Sequence, residues 1–408
     1  MRKDTIKIAF GSVPKGCGTF TFYRNLRLAL KAYGIDLQCV TVGKREAGLV
    51  EDAYVDSGCV LLSPNSSYVK EQSQTFTKWC QQEAFDIVMA INSEAILSAL
   101  PHLPKHIRVL SRCANGFDEG YRVTLSGKER LMGIMTLTPR LTNDLVNKYG
   151  VSSDTIHLCP NGIDPTPFAT ITDCKRHGPE GSPIQLGFMG RLEHKQKGVL
   201  HLPKIVQELK HLGVPFHLRI AGKGIHRPKL EKQLQPYIQS GEVELIGTIT
   251  RQEVPKFLKS ADVFLFTSHF EGISNALLES IMAGCVPVTF LIKDLTDFVL
   301  DHGRTGFIAP MEDCSAFAGY VAQLANDRTL LQQMSESTLA AAHERFAVPI
   351  AAARHAELFG KVMEMPLPDF EPLPWSQFEI DPVYRKRWTG YLPEFMKKRA
   401  KSILANRS

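Results

Sequence analysis

The sequence predicts an α/β protein with two doubly wound, parallel-sheet domains that face each other across a cleft. Three observations carry this. Short apolar runs alternate with helical patterns along most of the chain, the arrangement that covers a parallel sheet with helices on both faces. The alternation comes in two series, separated by the Pro- and Gly-crowded stretch 160–183, PNGIDPTPFATITDCKRHGPEGSP. The 408 residues, 44% hydrophobic and 22% charged, also exceed what one hydrophobic core usually organises.

The first series opens with an apolar strand at 6–10, then a Gly-rich loop, a helix from about Thr21 ended by Gly34, and a strand at 37–42. Further strands are expected at 87–91, 107–110, 133–137 and 155–159. The second series places strands at 184–189, 216–221, 243–246, 263–266, 286–290 and 306–309, with helices between them and helical patterns continuing to about Met363. This divides the chain into a first domain at 1–165, a linker at 166–183 and a second domain at 184–364. The Pro- and aromatic-rich segment 365–408 is expected to pack back on the first domain.

Charge and composition narrow the function classes. A formal net charge of +6 is too small for a nucleic-acid-binding profile, so no nucleic-acid partner is expected. Nine scattered cysteines, an odd number without CxxC spacing, fit reduced thiols better than a disulfide framework or a zinc site. The apolar run before Gly11 is short for a signal peptide, and no later segment is apolar for long enough to span a bilayer. The expectation is a cytoplasmic protein. Its basic tail, PEFMKKRAKSILANRS, reads as a solvated helix end or as peripheral contact with the inner face of an anionic membrane.

The residues that carry chemistry sit at strand ends. After the strand at 263–266, residues 267–272 read as a loop and Ser274 or Asn275 as a helix cap. Leu277, Leu278, Ile281, Met282 and Cys285 recur at helical spacing as one buried stripe. A helix start at the carboxyl end of a parallel strand presents unpaired N–H groups and a positive dipole end, which suit a diphosphate. Glu279 falls off the stripe and can accept hydrogen bonds from two neighbouring hydroxyls, as on a ribose. In PKGCGT, Gly16 and Gly18 let a backbone approach a phosphate or sugar closely. The third glycine of G-x-G-x-x-G is missing there, so no nicotinamide cofactor is expected. Nor does the chain carry Asp-x-Asp, HExxH or a P-loop, so no metal ligands are assigned.

FEGISNALLESIMAGCVPV at 270–288 resembles the E-x7-E signature of the retaining glycosyltransferases grouped as family 4, with the glycine at Gly284 one place early. LCPNGID, FMGRLEHKQKG, IAGKGIHRP and the segment 244–266 resemble further parts of that family in the same order. The resemblance implies the GT-B fold and a nucleoside-diphosphate sugar, UDP- or GDP-linked, as donor substrate without a separate cofactor. It implies that Glu271 faces the donor sugar hydroxyls, that Glu279 holds the ribose, and that Arg191 and Lys197 clamp the diphosphate beside Gly190. Gly272, Ile273, Ser274 and Asn275 would present donors to the diphosphate, Ile246 and Gly247 would meet the base, and Asn161 would stand at the interdomain turn. The implied reaction is a metal-independent, retaining transfer to an acceptor hydroxyl. A glycan or lipid-linked acceptor in surface polysaccharide or glycolipid biosynthesis is the expectation by analogy. The first-domain loop SRCANGFDEGYR departs from the family, with Arg112, Cys113 and Asn115 where a histidine is usual. A nucleotide-sugar epimerase, a phosphorylase on the same fold and a non-catalytic nucleotide-binding subunit are the competing readings.

Overall fold

The computed structural model describes residues 5–13, 18–43, 58–63, 65–171 and 178–385. Gly16 and the basic tail from Pro393 lie outside them. Seven strands form the first sheet: β1 (Ile6–Gly11), β2 (Ile35–Val42), β3 (Val60–Leu62), β4 (Ile87–Ala90), β5 (Arg108–Cys113), β6 (Leu131–Thr136) and β7 (Ile156–Leu158). Six form the second: β8 (Ile184–Met189), β9 (Phe216–Ala221), β10 (Val243–Gly247), β11 (Val263–Phe266), β12 (Val286–Phe290) and β13 (Phe307–Ala309). Their spatial orders are β3-β2-β1-β4-β5-β6-β7 and β10-β9-β8-β11-β12-β13. Every pairing is parallel.

Helices cover both faces, which is why central strands read as unbroken apolar runs: every residue of β4, β11 and β12 is buried. The order of each sheet reverses once, between β1 and β4 in the first and between β8 and β11 in the second. At such a reversal neighbouring loops run to opposite faces and leave a crevice at the carboxyl ends of the strands.

Two expectations are corrected. The strand read at 107–110 runs on to Cys113, because Ser111 and Arg112 pair with Ile134 and Met135 although they interrupt the apolar run. The return to the first sheet starts at Val348, not at 365. The helix Val348–Glu364 buries Ala352, Phe359 and Val362 in the core that also holds Ile8, Phe10 and Phe22. Helical periodicity continues through 364 and carries no information about which sheet a helix faces. The crossing is fixed at Ile163, whose N–H donates to Phe346 O (2.8 Å) and whose carbonyl accepts from Val348 N–H (3.0 Å). Beyond the helix the chain stays on the first domain, where Trp375 stacks on His102 with ring centroids 4.3 Å apart. No helix among the described residues is long and apolar enough to cross a membrane.

Candidate active site

The two crevices open onto a common cavity of about 710 Å³. From the first domain Gly18, Thr19, Asn92 and Arg112 line it, and from the second Arg191, Lys197, Glu271 and Glu279. Asn92 follows β4 and Arg191 follows β8, so each stands at a strand-order reversal.

The floor on the second-domain side is the start of the helix Asn275–Met282. The stripe Leu277, Leu278, Ile281 and Met282 is at most 2% exposed and anchors the helix against its own sheet. Ser274 is the N-cap in an extended conformation, with no side-chain hydrogen bond to the first turn. The first-turn N–H groups and the positive end of the dipole therefore face the cavity available for an anion.

Opposite them a short helix, His194–Lys197, is held by Glu193, whose carboxylate accepts from Lys195 N–H (2.6 Å) and Gln196 N–H (3.0 Å). Gly198 ends it at φ +60°, and a Cβ there would lie 1.9 Å from Thr267 O, so the turn presses directly on the loop after β11. This brings Lys197 Nζ to 2.6 Å from Glu271 Oε1, with both side chains largely buried. The same oxygen accepts from Ser268 Oγ (3.0 Å), and Oε2 accepts from Gln196 Nε2 (3.1 Å). Gln196 also accepts from Arg191 Nη2 (2.7 Å). Both oxygens of Glu271 are thus engaged by the loop that carries the two cations.

A second polar chain crosses the cleft. Arg112 Nη2 donates to Asn161 Oδ1 (2.6 Å), and Asn161 Nδ2 donates to Asn275 Oδ1 (2.7 Å). Arg112 is buried, its guanidinium 4.3 Å from the Phe22 ring centroid. Next to it Gly272 packs on Ala114, and the Gly272 carbonyl accepts from Thr138 Oγ1 (3.2 Å). Arg251 reaches from the second domain to Asn25 Oδ1 (2.9 Å).

Glu279 is half-buried at the cavity wall. Burial pushes its carboxyl up to about 7 from 4.5, and the Arg251 charge offsets part of that rise. The folded state then holds the proton more tightly than the unfolded chain, so stability falls as pH rises from about 4.5 to about 7. Glu279→Gln should therefore melt above the native chain at pH 8, by up to about 3 kcal/mol, and lose the advantage below pH 4.5. Parallel melts at the two pH values decide it; an equal difference at both would remove the buried charge as the cause.

Most residues singled out in the sequence come together here. Gly18, Asn161, Gly190, Arg191, Lys197, Glu271, Gly272, Ile273, Ser274, Asn275 and Glu279 all line the cavity. Ile246 and Gly247 do not; they end β10, the edge strand, two strands away from β8. Lys197 is paired with Glu271 and not simply open to a ligand. Gln196 and Ser268 were missed, since nothing in HKQKG or TSHFEG distinguishes them from other polar loop residues. The sequence marks Arg112 only as an occupant of the place where a histidine is usual.

Comparison with known proteins agrees with this architecture. Residues 183–327 match the family model described as glycosyl transferases group 1. A 2-deoxystreptamine glucosyltransferase of Streptomyces kanamyceticus is 29% identical over 203 residues, covering 48% of this chain and 50% of its own. The putative colanic acid biosynthesis glycosyltransferase WcaL of Salmonella typhimurium is 29% identical over 208 residues, 50% of this chain and 49% of its own. The chain thus spans about half the length of the curated relatives it matches. Among solved structures, a glycosyltransferase of Rickettsia africae superposes with a TM-score of 0.73 at 13% identity, over 89% of this chain and 100% of that one. Anabaena HepE in complex with UDP-glucose gives 0.68 at 13% identity, over 87% and 100%. The segment 183–327 thus resembles the group 1 glycosyltransferases, and the two facing parallel sheets have the GT-B fold.

Proposed function

We propose that the protein transfers a sugar from a nucleoside-diphosphate donor to an acceptor hydroxyl, with retention of configuration and with no metal at the diphosphate. The observation that carries this reading is the convergence of Arg191, Lys197 and the uncapped start of the helix Asn275–Met282 on one cavity. Two cations and a helix N-terminus can neutralise the charge that develops on a departing diphosphate. The leaving phosphate then accepts the acceptor proton, so the protein contributes position and electrostatics, and no dedicated base is required. In this reading Glu279 holds the ribose. Glu271, fixed by Lys197, Gln196 and Ser268, orients Lys197 and faces the sugar.

A smaller cavity of about 190 Å³ opens off the first-domain side and shares Thr19, Asn92 and Asn115 with the main one. Phe117, 43% exposed at its rim, offers a flat apolar face for a sugar ring. We assign this side to a glycan or lipid-linked acceptor, as in surface polysaccharide biosynthesis.

The test is a thermal-stability panel with UDP, GDP, ADP and their sugar conjugates. One nucleotide series at about a hundred times its dissociation constant should add about 2.7 kcal/mol. Arg191→Ala and Glu279→Ala should each abolish most of that shift. No shift with any nucleotide would remove the donor-site reading.

A further inference from the structure

Directly behind the loop that carries Lys197 lies a cluster of imidazoles that the proposed transfer does not use. His194 comes from the short helix after β8, His201 from the 3-10 turn Val199–His201, and His269 from the loop after β11. One ring nitrogen of each lies within 4.8 Å of those of the other two. His201 Nε2 and His269 Nε2 are 2.8 Å apart. Glu312 Oε1 stands 3.6 Å from His269 Nε2. Two ligands on a tetrahedral zinc ion are about 3.3 Å apart, so these separations bracket the spacing such an ion imposes.

The outer contacts point the same way. His269 Nδ1 lies 3.1 Å from the Lys195 carbonyl, which fixes its tautomer and aims Nε2 into the cluster. A ligating histidine usually gives its remote N–H to a carbonyl in this way, and His201 Nδ1 lies 3.8 Å from Cys314 Sγ.

The geometry points to a divalent first-row metal site, best matched to zinc, formed by His194, His201 and His269 with the Glu312 carboxylate as the fourth ligand. None of the four lines the donor cavity. The ion would instead brace the catalytic loops: His269 N–H donates to Gln196 O (2.8 Å), and His269 precedes Glu271 by two residues. It would join the segment bearing Lys197 to the segment bearing Glu271 from behind. In the sequence these histidines are isolated, with successive members of the set 7 and 68 positions apart, and no metal-binding spacing marks them.

The test uses the full chain, dialysed against a chelator and titrated with CoCl₂. One equivalent should bind and give the intense visible d–d bands of four-coordinate cobalt, which ZnCl₂ then displaces. His269→Gln and His194→Ala, each checked for native circular dichroism, should weaken cobalt binding at least about a hundredfold. His343→Gln, at an exposed position elsewhere, should leave it unchanged. Absence of saturable uptake, or uptake that both cluster variants retain, would overturn the site and leave the rings as a neutral hydrogen-bonded chain. The readout is absorption and not turnover, so its failure is separate from failure of the glycosyl-transfer reading.

Discussion

Lys197→Ala is expected to lower kcat by about 10²–10³-fold, with a smaller change in KM for the donor. The lysine is one of two side-chain cations at the place proposed for the leaving diphosphate, and charge grows there mainly as the sugar–phosphate bond breaks. An interaction that strengthens in the transition state shows itself in kcat. The substitution also strands Glu271. Their side chains are only 15% and 8% exposed, and removing one partner of such a pair leaves an uncompensated carboxylate, at a cost of about 3 kcal/mol. Ser268 and Gln196 still donate to it, which limits the loss. The two effects separate in a double variant. Lys197→Met with Glu271→Gln removes both charges, so it should recover most of the melting temperature and none of the turnover. Unchanged kcat at saturating donor in Lys197→Ala would remove the lysine from the chemistry, whatever the melts show.

Gly272→Ala should be nearly as severe for a different reason. A Cβ at that position would lie 1.9 Å from Ala114 O and 2.7 Å from Ala114 C, both backbone atoms of the other domain. No side chain can rotate away to admit it, so the two domains must part or the loop after β5 must shift. Overpacking of this kind costs about 1–3 kcal/mol. Here it falls on the face where Thr138 and Asn161 join the domains, so we expect turnover to fall at least about a hundredfold. Small-angle scattering should show a more open molecule, and proteolysis should nick the interdomain segment sooner. Gly319→Ala is the control, since nothing lies within 4 Å of a Cβ there and alanine suits a helix interior better. If Gly272→Ala keeps both native activity and the native scattering profile, the close approach of the two loops is not maintained in solution.

The residues read as a diphosphate site were legible because they are local. Gly190, Arg191 and Lys197 fall within one short strand-end segment, and Glu271 to Glu279 within another, each following an apolar strand. Pattern and spacing alone bring those side chains to carboxyl ends of strands. The edge strand β3 escaped notice because three residues make too short a run, and β5 was cut short because polar Ser111 and Arg112 still pair in the sheet.

By itself the sequence determined the alternation of strands and helices, the two parallel sheets that alternation builds, and the chemical character of the loops at their ends. Those features depend on periodicity and on neighbours close along the chain. Only the tertiary structure decided that Lys197 is held by Glu271 across 74 residues, that Arg112 reaches Asn275 through Asn161, and that the helix Val348–Glu364 completes the first domain's core. It also decided that three isolated histidines meet. Each of these contacts joins segments whose approach is set by packing of two whole sheets, which no local pattern of residue types encodes.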